Sequence, residues 1–264
     1  MLSGAPEHPV TLCDALRRLV EGVSYDVVWA NDLGGLTLRV ERGSAPVYVK
    51  WLPAASGNDV AGEVERLAWA SPYTPVPRVV EQGRDPEGSW FVSMAIDGES
   101  AVSPRWLADP ATATAAIGAG LRALHDALPR GDCPFTWSAR HRLSTVDQRR
   151  QRGELDHLEW SDEHAGLTLE SALADLARVP SEDLVVCHGD ACAPNTLIGE
   201  DGRWVGHVDL DQLGVGDRWS DLAVAAWSTE WNYGPGLAHH VYDAYGMAPE
   251  PEKIRYYRLL WELG

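Results

Sequence analysis

Long apolar runs are missing from this 264-residue chain. No stretch of about 18 apolar residues occurs, so no membrane span is expected. The N-terminus has no basic segment followed by an apolar one, which argues against a secretory signal and for a cytoplasmic protein. Cysteine is sparse. Cys13, Cys133, Cys187 and Cys192 make no framework for disulfides or zinc and read as reduced packing residues. Cations are scarce as well, 22 Lys and Arg against 39 Asp and Glu, for a formal net charge of −17. A field of that sign repels nucleic acid and attracts cationic ligands; it also serves plain solubility. Phenylalanine numbers two against twelve tryptophans, which act either as core fillers or as pocket walls.

What the chain does carry is Val185-Val186-Cys187-His188-Gly189-Asp190-Ala191-Cys192-Ala193-Pro194-Asn195, followed by His207-Val208-Asp209. One carboxylate, an amide and a second carboxylate stand here in the order that phosphoryl transfer from ATP needs. One Asp positions and deprotonates a hydroxyl, while an Asn and another Asp hold Mg²⁺ on the phosphates. The pattern resembles the protein-kinase catalytic loop, with Gly189 where those enzymes carry Arg. Leu184 to Cys187 reads as a buried strand delivering the loop. Thr196-Leu197-Ile198 and Trp204 to Val208 read as strands joined by an Asp201-Gly202 hairpin turn.

Upstream, Tyr25–Ala30, Leu36–Val40, Val47–Trp51, Pro75–Val80 and Ser89–Ile96 are strand-like. The turn containing Gly34 and Gly35 is either an ordinary hairpin or a loop whose N–H groups approach phosphate. Lys50 closes an apolar strand, an expensive place for an ammonium without a partner. A helix from about Asp59 to Trp69 puts Val60, Glu63, Val64 and Leu67 on one face, offering Glu63 as that partner. Beyond Asp97-Gly98 the pattern turns helical: Ile117, Leu121, Leu124 and Leu128 form a stripe, and Leu167–Leu176, Ser220–Trp227 and Glu252–Leu263 follow. The expected fold is α+β and bilobal. Residues 1–96 form a lobe of a five-stranded antiparallel sheet plus a helix, and 97–264 form a mostly helical lobe. The acids Glu154, Asp156, Glu159, Asp162 and Glu163 make either a solvated face or a wall for a polyamine-like substrate.

From about Trp29 to its end the chain resembles the aminoglycoside phosphotransferases, closest to the kanamycin and neomycin 3′-kinase branch. The resemblance rests on Val186–Asn195, on Asp217-Arg218-Trp219-Ser220-Asp221-Leu222-Ala223, on Pro249–Leu260 and on Ala61–Trp69. It implies a protein-kinase-like fold and an antibiotic-resistance activity. It also implies ATP at Lys50 and Glu63, with adenine on the backbone near Met94 and Ile96. Asp190 would be the base, and Asn195 and Asp209 the Mg²⁺ ligands. A cationic aminoglycoside would be held by Asp156, Glu159, Asp162, Glu163, Glu230, Trp231, Glu262 and the carboxylate of Gly264. No nucleic-acid or membrane partner is expected, and the sequence sets no oligomeric state. Three departures stand out. Leu210-Asp211-Gln212 follows Asp209 where Asp-x-Gly-Arg is usual, one acid is missing at the end, and Trp227, Trp231 and Trp261 stand as stacking wall or core. The alternatives are a streptomycin 3″-kinase, a kinase of another amino sugar or small metabolite, and a non-catalytic pseudokinase that only binds nucleotide. A protein kinase is less favoured than these.

Overall fold

Alternation decides the first hundred residues. In β2 (Leu36–Arg42) and β3 (Ala45–Pro53), Leu36, Leu38 and Val40 and then Val47, Val49 and Trp51 point to one face and are buried. Each such side chain stabilises by about 1.5–3 kcal/mol. The computed structural model describes residues 4, 6, 8–43, 45–155 and 160–264. Two compact units emerge, Met1–Asp97 and Gly98–Gly264. In the first, α1 (Asp14–Leu19) lays Leu16, with Leu12 and Val20 beside it, on the apolar face of the sheet. The strands β1 (Tyr25–Ala30), β2, β3, β4 (Val79–Asp85) and β5 (Gly88–Met94) pair antiparallel in the order β1-β2-β3-β5-β4. Between β3 and β4 runs α2 (Ala61–Ala70), with Glu63, Leu67 and Ala70 buried.

This is the expected five-stranded sheet and helix, with two differences. The extra helix α1 is six residues long with no side-chain cap, too short for a periodic stripe. The fourth strand begins at Val79 rather than Pro75, since the prolines at 75 and 77 lack the N–H a ladder needs.

The second unit is built on helices. Its elements are β6 (Glu99–Ser100), α3 (Pro104–Leu107), α4 (Pro110–Ala127), α5 (Ala139–Gln151), α6 (Leu169–Leu176), β7 (Leu184–Cys187), β8 (Thr196–Ile198), β9 (Trp204–His207), β10 (Gly214–Asp217), α7 (Trp219–Tyr233), α8 (Ala238–Tyr245) and α9 (Pro251–Leu263). Helix α4 buries Ile117, Leu121 and Leu124 as its stripe requires, and its Gly118 lies so close to α8 that a Cβ would meet the Val241 carbonyl at 2.2 Å. Helix α7 is buried continuously from Trp219 to Thr229, the state of a helix apolar on all sides. Two small sheets hold the functional loops: β6-β8-β9, and β7 paired antiparallel with β10. No helix among the described residues is long and apolar enough to cross a membrane.

Candidate active site

Strand β7 ends at Cys187 and delivers His188, Gly189 and Asp190. Gly189 adopts φ 93°, and a Cβ there would lie 2.3 Å from the Gln212 carbonyl oxygen. Only glycine fits a left-handed position pressed against backbone. The ring of His188 donates from Nε2 to the Val208 carbonyl at 3.0 Å, and its Nδ1 accepts the Asp190 N–H at 3.3 Å. Asn195 closes the loop. Its amide nitrogen donates to the Asp190 carbonyl at 2.9 Å and to Asp190 Oδ2 at 3.1 Å. The other carboxylate oxygen of Asp190, Oδ1, is buried without a hydrogen-bond partner among the described residues. An orphaned buried acceptor wants a donor or a cation, which suits a group poised to take a proton from a bound hydroxyl.

Asp209 follows the β8–β9 hairpin, whose turn glycine, Gly202, has φ 78°. The Val208 N–H donates to the Asn195 carbonyl at 3.0 Å, so the Asn195 and Asp209 stations are tied through backbone. Asp209 itself sits at φ 63°, the one non-glycine residue with positive φ among those described. Such a conformation costs about 1–3 kcal/mol and is held only where the surroundings over-determine it. With its nitrogen turned to Asp190, the Asn195 amide is left its oxygen; that atom and the Asp209 carboxylate are oxygen donors of the kind that could hold Mg²⁺.

Two residues outside the motif hold this loop. Asp221 of α7 is fully buried and accepts from the His188 N–H at 2.6 Å, the Gly189 N–H at 3.0 Å and His125 Nε2 at 2.9 Å. Burial alone would raise its pKa, but the hydrogen bond and charge of His125, with His188 and the Gly189 N–H, hold it below the usual carboxylate range. The chain of bonds continues outward: the Tyr245 hydroxyl bonds His125 Nδ1 at 2.8 Å and accepts from Arg218 Nη1 at 2.8 Å. One helical stretch further along α7, the Ser228 hydroxyl accepts the Ala193 N–H at 2.9 Å. Sequence reading used Asp221 only to recognise a helix start. The signal available was an ionisable residue inside an apolar helix, which is rarely buried without partners. His207, two residues before Asp209, is buried, and its pKa is pushed well down by burial and then by His188 and His125.

In the first unit Lys50 pairs with Glu63 at 2.6 Å, with side chains 20% and 5% exposed. The pair forms because Lys50 points to the sheet face opposite the Val49 and Trp51 core, where α2 lies. The glycine turn is different from a phosphate loop. The Gly34 N–H donates to the Asn31 carbonyl at 3.0 Å and the Gly35 N–H to Asn31 Oδ1 at 2.7 Å, so both amides close a hairpin. At the end of β5 the Met94 N–H donates to the Arg78 carbonyl at 3.0 Å and is already engaged; Ile96 is half-buried just beyond.

The acceptor-wall residues are brought together only in part. Asp156 and Glu159 lie outside the described residues, and Asp162 is exposed. Trp227, Trp231 and Trp261 form one cluster, with ring centroids 4.8 to 6.0 Å apart; Trp227 is buried and Trp231 is 47% exposed. The open choice between wall and core therefore divides within the cluster. Glu163 and Glu230 both reach Arg258 of α9. Glu262 is turned inward: it accepts from the Ser161 N–H, from the Ser161 hydroxyl at 3.0 Å and from His164 Nδ1, and its side chain is 8% exposed. The Gly264 carbonyl accepts from Arg149 at 3.0 Å. Glu262 is thus engaged inside the chain by Ser161 and His164, while the Gly264 carbonyl, bonded to Arg149, lies at the exposed surface.

The sequence model of the Phosphotransferase enzyme family matches residues 15–257. An aminoglycoside 3′-phosphotransferase of Streptomyces fradiae is 37% identical over 94% of this chain and 97% of its own length. The crystal structure of an aminoglycoside-3′-phosphotransferase of type VIII superposes with a TM-score of 0.81 at 32% identity, covering 95% of this chain and 97% of that one. A Streptomyces rimosus aminoglycoside phosphotransferase in complex with ADP and streptomycin gives a TM-score of 0.70 at 25% identity, over 88% and 93% of the two chains. With a catalytic loop, an ion-paired lysine and these matches over nearly its whole length, the chain belongs to the phosphotransferase enzyme family and is an O-phosphotransferase with an α+β, protein-kinase-like fold.

Proposed function

We propose that the chain moves the γ-phosphoryl group of ATP to the 3′-hydroxyl of an aminoglycoside of the kanamycin and neomycin class, conferring resistance to the drug. The Asp190–Asn195 clasp, with Asp190 Oδ1 buried and without a hydrogen-bond partner among the described residues, carries the reading. Asp190 orients the sugar hydroxyl and accepts its proton as the oxygen attacks phosphorus. Asn195 and Asp209 would hold Mg²⁺, which when bound neutralises the phosphate charge. Lys50, fixed by Glu63, binds the α- and β-phosphates, and the backbone at Ile96 and the Met94 carbonyl take adenine. The 1–96 lobe is thus assigned to the nucleotide and the 97–264 lobe to catalysis and the acceptor. Trp231 and Asp162 face the cationic acceptor, whose approach the charge of −17 favours.

The test is ADP release by the purified protein with Mg²⁺-ATP against kanamycin, neomycin and streptomycin, with mass spectrometry of the product. Phosphate at the 3′ position of kanamycin is expected. Streptomycin 3″-phosphorylation is the second reading. It is favoured by the likeness to the streptomycin-bound relative. Nucleotide binding with no transfer to any acceptor would instead leave a pseudokinase.

A further inference from the structure

Arg258 stands inside the acceptor wall with all three of its nitrogens engaged. Its Nε donates to the Ala223 carbonyl at 3.4 Å, Nη1 meets Glu163 at 2.8 Å and Nη2 lies 3.9 Å from Glu230. Its guanidinium carbon is 5.4 Å from the centre of the Trp227 ring. The cation is the buried member, 12% exposed against 32% for Glu163 and 39% for Glu230. We propose that Arg258 is a specificity-determining residue, filling from within the protein the place between Glu163 and Glu230 that an ammonium group of the acceptor would otherwise take. The inference rests on the aminoglycoside reading above.

The wall is physically continuous with the chemistry. Helix α7 accepts the Ala193 N–H at Ser228 and carries Trp227, Glu230 and Trp231 around that point, so an acceptor at Asp190 extends toward these side chains. A planar guanidinium forks between two carboxylates as an ammonium does not, and its desolvated position over Trp227 strengthens the hold. An acceptor amine competing for the acids must displace a group already bound within the same chain. Glu262 is closed off in the same way by Ser161 and His164. What the wall presents is the exposed face of Trp231, which takes the apolar face of a sugar ring, and, among the described residues, a single unbridged carboxylate, Asp162. The enzyme therefore gains little from extra ammonium groups on its substrate.

The experiment compares KM and kcat of the wild type, Arg258→Gln and Arg258→Lys for kanamycin and for neomycin, which carries more amino groups. Freeing both carboxylates in Arg258→Gln lowers the KM for neomycin relative to kanamycin by about tenfold, the equivalent of one modest charge-assisted contact. Arg258→Lys retains the positive charge but not the fork, and shifts the ratio less than Arg258→Gln does. An unchanged ratio in Arg258→Gln, or the same shift in both variants, overturns the proposal. Should the Gln variant fail to fold, Arg258→Met keeps the apolar stem on Trp227 and carries the same comparison. A wild-type enzyme inactive on both drugs would refute the aminoglycoside reading instead, before any variant is compared.

Discussion

Replacing Asp221 with asparagine removes one charge and one acceptor from a site where three donors meet. In the wild type, Oδ2 takes His188 N–H and His125 Nε2–H while Oδ1 takes Gly189 N–H. The amide oxygen of asparagine replaces Oδ2, keeping two bonds without charge assistance at a cost of about 1 kcal/mol each. Its NH₂ group then faces the Gly189 N–H, and that orphaned buried donor costs about 1–3 kcal/mol more. The sum, about 3–5 kcal/mol, is within the 5–15 kcal/mol that typically hold a domain, so the variant folds with a Tm lowered by about 6–20 °C. Because the loop amides are no longer gripped, Asp190 shifts, and a displacement near 1 Å costs about a hundredfold in kcat. Urea unfolding and steady-state assays on the same preparation measure both. A variant within 0.5 kcal/mol of wild type (roughly the scatter of surface changes) with unchanged kcat refutes the argument. The linked pH effect has a definite sign. The folded pKa of Asp221 lies below its unfolded value near 3.9, so its stabilisation is complete above about pH 5 and is lost as pH falls through the lowered folded value. Acid titration of Asp221→Asn should lack that component.

Three further outcomes are expected. Asp190→Ala lowers turnover by about 10²- to 10⁴-fold while ATP binding, followed by calorimetry, survives; activity within a few-fold of wild type would remove its role as base. Gly189→Ala sets a Cβ against the Gln212 carbonyl at positive φ, and should lose several kcal/mol of stability (about 3 or more) together with activity, read by thermal unfolding and turnover. Arg142 is buried with Nε and Nη1 unpartnered among the described residues, and burial lowers its pKa to about 10. Arg142→Met should therefore raise stability by about 1–3 kcal/mol in denaturant titration; a loss would show that its stacking on Trp137, 4.7 Å away, outweighs desolvation.

Sequence spacing revealed the parts of this molecule that repeat a simple period. The alternation of Leu36, Leu38 and Val40 and the stripe of Ile117, Leu121 and Leu124 are such cases, and both became buried faces. The pairing of Lys50 with Glu63 was legible because a lysine on an apolar strand demands a partner. Helix α5 was not, since Ala139–Gln151 is polar and buries only Ala139, Arg142 and Val146. Nor does spacing say which acids face solvent. Glu262 looks like Glu163 in a string of letters, and only packing sets one on His164 and the other on Arg258. The amides of Gly34 and Gly35 were likewise claimed by Asn31, a choice decided by local geometry.

Helix α7 works as a ruler. It is pinned to the catalytic loop at Asp221 and again at Ser228, and it carries Trp231 beyond the second pin. At a rise of 1.5 Å per residue, about 15 Å of rigid rod separate Asp221 from Trp231. In the function proposed above, the span from the reacting hydroxyl to the far ring of an acceptor is therefore measured by a helix rather than by a loop. A change of substrate in this chain must come from exchanging side chains at fixed marks along the rod, because altering its length would pull the base off target.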